Sequence, residues 1–181
     1  MLLTRYKAPL IVFSLVLILF LFLFGGVLGA GYVLDDRSVI QNREELKNFS
    51  AVYKSFFVPW HKDQPWAGNY RPLTLLSYSI TLLFTDSTAL MRFINIFIHS
   101  ANATLVFLLA VNFFSRKIAY IAAVGFSIFP INAGTIVSLV GRGDLLAAFF
   151  LILSILLFYK DKHFWSVFSF FMALLAKDFS V

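Results

Sequence analysis

"ALMRFINIFIHSANATLVFLLAVNFF" (Ala89–Phe114) is oily enough to cross a bilayer, yet it carries an arginine, a histidine and three asparagines. Its reading decides the fold. Arg92, Asn95, His99 and Asn102 are spaced three, four and three residues apart. That spacing puts all four on one face of a helix. Polar and ionisable side chains are costly against lipid, so the face must meet other helices or a wet cavity. The stripe occupies only one half of the segment. It serves either as hydrogen-bonding glue between helices, with Arg92 snorkelling to an interface, or as one wall of a cavity with Arg92 at its mouth.

The rest of the chain supplies the partner helices. Of 181 residues, 60% are hydrophobic and 13% are charged, and the mean hydropathy is +0.86. A soluble domain of this length has too little interior for so much apolar surface. Lipid must cover it, which predicts a polytopic membrane protein. The net charge of +6 would suggest nucleic acid in a soluble chain. Here the basic residues flank apolar segments, where they set topology and meet anionic lipid, so no nucleic-acid partner is expected. The chain has no cysteine. That excludes a disulfide, a thiolate metal site and a cysteine nucleophile.

Five apolar segments predict an all-α transmembrane helix bundle, with spans near 9–30, 89–114, 118–133, 144–159 and 164–178. Arg5, Lys7 and the small residues of "VLGA" imitate a signal peptide. The apolar stretch from Pro9 to Leu28 is about 20 residues, longer than most signal cores, so a retained span is expected and a cleaved signal is the alternative. If the segments alternate, "SRK" (Ser115–Lys117), "KDKH" (Lys160–His163) and the basic amino terminus share one side. The positive-inside rule makes that side cytoplasmic. A long loop, 31–88, then lies on the extracytoplasmic side of a bacterial inner membrane or of the endoplasmic reticulum. Arg142, Asp144, Lys177 and Asp178 face the same way. Within the loop, "VPWHKDQPWAGN" (Val58–Asn69) is rich in turn formers. "YRPLTLLSYSITLLF" (Tyr70–Phe84) suits an interfacial helix with Pro72 in its first turn.

Chemistry is suggested by "GYVLDDRSVIQN" (Gly31–Asn42), which follows the first span directly. Acids commonly begin a loop, so Asp35 and Asp36 have a plain explanation. The alternative is a general base, which needs an ionised carboxylate near a hydroxyl. Two adjacent acids couple in titration, so one can stay charged while the other orients a group or binds a divalent cation. In "GRGD" (Gly141–Asp144), Asp144 suits a helix amino terminus. Arg142 between two glycines suits close approach to a phosphate. "NFS" (Asn48–Ser50) is a glycosylation sequon. His61, His99 and His163 have no companions at ligand spacing, so no histidine-built metal site is expected.

"YVLDDRSVIQN", "YRPLTLLSYSI", "RFINIFIHSANATLVFLL", "VGRGDLLAAFFLILSILLFY" and "LLAKD" occur in an order that resembles the C-type membrane glycosyltransferases. The closest likeness is to O-mannosyltransferase-like proteins whose membrane part precedes tetratricopeptide repeats. The resemblance implies transfer of a sugar, for example mannose, from a polyprenyl-phosphate donor to a hydroxyl of protein, lipid or glycan. It implies a base at Asp35 or Asp36. It makes Arg71, Arg92, His99, Asn102, Arg142 and Asp144 candidates for the donor phosphate or the sugar. The sequence departs from the family pattern at Phe129 and Asn132 of "FPINAG", where histidines flank a proline, and at "AKD" (Ala176–Asp178) in place of Ser-Lys-Glu. Family members carry about twice as many spans, so the chain is expected to correspond to an amino-terminal portion or to half of a split or truncated enzyme. A non-catalytic membrane subunit is the rival expectation, and a transporter fragment ranks third.

Overall fold

The computed structural model describes residues 2–61 and 69–178, with side chains from residue 7 onward. Most of the expected turn-rich loop thus lies outside the described residues. The described chain is helical, without strands. Eight α-helices follow in order: α1 (Leu2–Phe24), α2 (Ala51–Lys54), α3 (Pro72–Leu82), α4 (Thr88–Ala110), α5 (Arg116–Ile128), α6 (Ile131–Val137), α7 (Arg142–Tyr159) and α8 (His163–Ala176).

Three stretches, Lys7–Val27, Thr88–Ala110 and Arg142–Tyr159, are long and apolar enough to cross a membrane, and α5 with α6 makes a fourth if that bent pair is one span. The fifth expected segment, α8, has 14 residues, or about 21 Å at 1.5 Å per residue. That is shorter than a hydrocarbon core of about 30 Å. It nevertheless runs antiparallel to α7 along most of that helix. Ser154 and Ser166 donate to each other's carbonyls at 2.9 Å, and Ser169 donates to Phe150 O at 2.7 Å. The turn between them places Asp161 in the left-handed region (φ 57°).

Helix α1 shows how these elements form. It buries Val12, Val16 and Phe20, one per turn, and leaves Leu15, Ile18 and Phe22 exposed. A four-residue spacing makes one packed stripe on an otherwise apolar cylinder, so the remaining faces suit lipid. The Gly25–Gly26 pair ends it in a single 3₁₀ turn, as glycine is a poor helix former. Helix α4 starts at Ser87, whose hydroxyl accepts from Leu90 N, an N-cap. Ala119 and Ala123 of α5 are fully buried in the same core. Small residues let neighbouring helices approach closely.

The third expected span is broken. Pro130 forces its predecessor out of the helical region, and Phe129 is extended (φ −61°, ψ 126°). The axis bends by 60° between α5 and α6. Helix α3 has Pro72 in its first turn as expected. Thr74, Leu75, Tyr78, Ser79 and Leu82 are all buried, so it packs against protein along much of its length. With Val39, Ile40, Leu46, Trp60, Met91 and Leu139 it forms a second core under the long loop. Arg43 clasps that loop, donating to Pro59 O at 3.0 Å and Trp60 O at 2.9 Å.

The two ends of the bundle differ in chemistry. Ala8 and Pro9 of α1, Asn112 after α4, Arg116 of α5 and Lys160 after α7 line one cavity. The basic joins therefore gather at one end. At the other end Arg92 meets the segment after α1, Asp36 meets Val140, and Thr74 meets Ala176. The candidate site lies at this second end.

Candidate functional site

The adjacent acids are separated by their surroundings. Asp36 is fully buried. Its Oδ2 accepts from Val33 N at 3.3 Å and its Oδ1 from Val140 N at 3.1 Å. One carboxylate thus pins the loop after α1 to the loop before α7. Asp35 is exposed. It borders a groove of about 260 Å³ whose other walls include Val33, Leu34, Gly134, Val137 and Val140. The groove is almost wholly apolar, with one free carboxylate at its edge. Leu34, 90% exposed, adopts φ 46°. A left-handed leucine is uncommon, and it reverses the chain just before Asp35. A π-helical turn, Arg37–Gln41, follows, a geometry often found near functional residues.

Asp36→Asn tests the pinning role. An asparagine keeps one acceptor oxygen and turns an NH2 toward a backbone N–H. A buried donor left unpaired costs about 1–3 kcal/mol. Unfolding of the detergent-solubilised protein should show a loss of that size, whereas a surface acid would give almost none.

The polar stripe of α4 faces inward and is closed by protein. Arg92 is 2% exposed. It donates to Val137 O at 3.0 Å, Gly31 O at 2.9 Å, Leu28 O at 3.0 Å and Ala30 O. It ties the exit of α1 to the end of α6. Asn95 donates to Ser138 O at 3.0 Å and Ile136 O at 3.4 Å, and its Oδ1 accepts from Arg142 Nε at 3.0 Å. His99 lies between Phe20 and Phe126 and meets Ser127 O through Nε2 at 3.1 Å. Asn102 donates to Leu145 O at 3.0 Å. His99 Nδ1 and Asn102 Oδ1 are buried without a partner among the described residues. A roomy polar site would let water satisfy them.

Arg142 is fully buried at the first turn of α7. Its guanidinium donates to Asn95 Oδ1, Met91 O at 3.0 Å, and Ser77 O and Thr81 Oγ1 at 3.3 Å each. It also lies 4.7 Å from the centre of the Tyr78 ring. Burial raises the Tyr78 hydroxyl above its ordinary pKa, so it stays protonated and donates to Leu139 O at 2.8 Å. The flanking glycines serve packing. A Cβ on Gly141 would lie 2.0 Å from Thr135 O, and one on Gly143 would lie 3.4 Å from Ala176 O and from Thr74 Oγ1. The close approach expected at these glycines is made to neighbouring backbone.

Arg71 and Asp144 sit together near the end of α8. Arg71 pairs with Asp178 at 2.7 Å and covers Trp60, 4.8 Å from the ring centre. Asp144 pairs with Lys177. The structure thus sorts the expected residues into three groups. Asp35, Asp36, Arg92 and Arg142 surround the loop between α6 and α7. Arg71 and Asp144 clamp the end of α8. His99 and Asn102 lie deeper along α4. Sequence reasoning missed Tyr78, in the helix expected over Tyr70–Phe84 but not singled out there, and Arg43, in a stretch that carried no periodic signal. Among the described residues, no group of three or more His, Asp or Glu side chains converges as a metal site. With Asp36 committed to two backbone amides, the acid pair offers one free carboxylate.

The fold and this stitched end define an all-helical membrane protein with an exposed acid beside an apolar groove. Its similarities agree with that class. The chain is 25% identical over 139 residues to the human "Protein O-mannosyl-transferase TMTC3", covering 73% of this chain and 15% of that protein. It is 29% identical over 129 residues to the Drosophila melanogaster "Protein O-mannosyl-transferase Tmtc1", covering 68% and 15%. With the mouse "Protein O-mannosyl-transferase TMTC1" it shares 25% over 147 residues, covering 76% and 16%. The chain therefore spans about 15% of the length of these relatives. No family model matches it, and no solved structure matches it.

Proposed function

We propose that this chain belongs to a membrane glycosyltransferase that moves a sugar, mannose by analogy with its relatives, from a polyprenyl-phosphate donor to a hydroxyl acceptor. The reaction takes place on the extracytoplasmic side, with the basic end of the bundle in the cytoplasm. The observation that carries this reading is the exposed Asp35 carboxylate at the rim of an apolar groove. Asp35 takes the proton of the acceptor hydroxyl. The acceptor oxygen bonds the sugar's C1 with inversion as the C1–O bond to phosphate breaks, and the polyprenyl phosphate leaves with that electron pair. The apolar walls suit an isoprenyl unit. Asp36 positions Asp35 through Val33 and Val140.

In this reading Arg71, partly exposed, meets the donor phosphate by exchanging Asp178 for it. Arg92 and Arg142 then act from the walls, as buried positive charge that offsets the phosphate at a distance. His99 and Asn102 lie deeper in the bundle and brace α4 through Ser127 O and Leu145 O, and Asp144 holds Lys177. The test is sugar transfer by the full-length protein from a polyprenyl-phosphate mannose donor, with Asp35→Asn compared against the unaltered enzyme. The second reading, a non-catalytic membrane subunit, is favoured by one observation. Every nitrogen of the Arg92 and Arg142 guanidiniums is engaged by protein acceptors, as packing alone would require.

A further inference from the structure

The opposite end of the bundle holds a cavity of about 300 Å³ between the start of α1, the end of α4, the start of α5 and the end of α7. Its lining is unlike the apolar groove. Arg116 and Lys160 enter it from different helices, Asn112 adds a carboxamide, and Ala8, Pro9 and Phe107 supply apolar wall. Arg116 and Lys160 are both exposed. Among the described residues, no carboxylate lines the cavity, so its two cations face one space with no described anion beside them.

The backbone adds to this. Arg116 begins α5, and the preceding Ser115 makes no side-chain cap. The first amides of a helix have no intrahelical acceptor and carry positive partial charge. Such a terminus favours an anion, and here it coincides with the cavity and its two cations. Surface lysines that merely set topology would be scattered around the rim. These two converge where apolar wall continues from the cavity into lipid-facing helix surface: Phe113 and Ile118 beside it are exposed.

We propose that this cavity binds the phosphate of an anionic phospholipid headgroup, with Arg116 and Lys160 as its ligands and the acyl chains lying along the outer faces of α4 and α5; the Asn112 amide, which donates to Leu108 O and to Leu109 O at 3.2 Å, only lines the wall. The site is remote from Asp35 and does not depend on the glycosyl-transfer reading. A free phosphate would share the headgroup chemistry, but the apolar continuation favours a lipid.

The test is lipid retention by the full-length protein in detergent, read by native mass spectrometry after exchange with phosphatidylglycerol or phosphatidylcholine. The protein should retain phosphatidylglycerol over phosphatidylcholine. The double variant R116Q/K160Q should lower that retention about tenfold or more, as near-surface cations each contribute measurably to anionic lipid binding. The variant K117Q/K162Q removes the same charge from the same end without touching the cavity lining, and it should retain the lipid. Equal loss in both double variants would mean diffuse attraction and overturn the site. So would full displacement of the lipid by millimolar inorganic phosphate, which would make the ligand a soluble anion.

Discussion

Asp35→Asn lowers sugar transfer by about 10²–10⁴-fold, the range typical for loss of a general base, while the protein keeps its fold. The two halves of this expectation come from the same observation. Asp35 is exposed, and among the described residues its carboxylate anchors nothing, while its main-chain carbonyl accepts from Ser38 Oγ at 3.2 Å. An asparagine there leaves every hydrogen bond of the bundle in place but cannot take a proton. Asp36→Asn behaves in the opposite way, losing stability first and transfer only in proportion to the folded fraction. A transfer assay paired with an unfolding measurement separates the two. If Asp35→Asn transfers sugar normally and Asp36→Asn loses transfer without losing stability, the base is Asp36. If neither changes transfer, the base lies elsewhere; if the unaltered full-length protein transfers no sugar, the subunit reading stands.

Asn95→Leu should destabilise the bundle more than Arg142→Met does. Intuition favours the reverse, because arginine is larger and charged. Arg142, however, has no carboxylate partner. Its buried charge is offset by four oxygen acceptors and one ring face. Methionine removes the donors and the burial cost of the charge together, and such exchanges are often close to neutral. A loss of about 1–2 kcal/mol is expected, mainly from the orphaned Asn95 Oδ1. Leucine at 95 leaves the guanidinium buried with one acceptor fewer, and it also releases the carbonyls of Ile136 and Ser138. About 3 kcal/mol or more is then expected, since an under-compensated buried charge is costly. The double variant should lie well below the sum, because removing Arg142 removes much of what Asn95 is needed for. Denaturant unfolding in mild detergent reads all three. Strictly additive losses would mean that the two side chains do not share one network.

Much of this was legible because apolar periodicity and membrane cost act on single segments. The stripe Arg92–Asn95–His99–Asn102 could be placed on one inward face from spacing alone, and the structure buries all four. The gathering of basic joins at one end followed from counting alternations. What the stripe touches was not legible. Its carbonyl partners are at 28, 30, 31, 127, 136–138 and 145, and a carbonyl looks the same in every residue. Apolarity alone draws one span over 118–133 and misses the bend at Phe129–Pro130. That bend turns the end of α6 so that Ile136, Val137 and Ser138 meet Asn95 and Arg92. The difference between Asp35 and Asp36 was equally hidden, because it depends on Val140, 104 residues further along. Arginines drawn by sequence toward a phosphate are drawn by the fold toward backbone oxygen, which offers the same hydrogen-bonding chemistry.

The account rests on the two ends of the bundle facing opposite sides of the membrane. The chain has no cysteine, so single cysteines can be introduced at positions 35, 48, 117 and 162 on a silent background. With a membrane-impermeant maleimide applied from the extracytoplasmic side, positions 35 and 48 should react at once. Positions 117 and 162 should react only after permeabilisation. Reaction of 35 and 117 from the same side of an intact membrane would contradict the account.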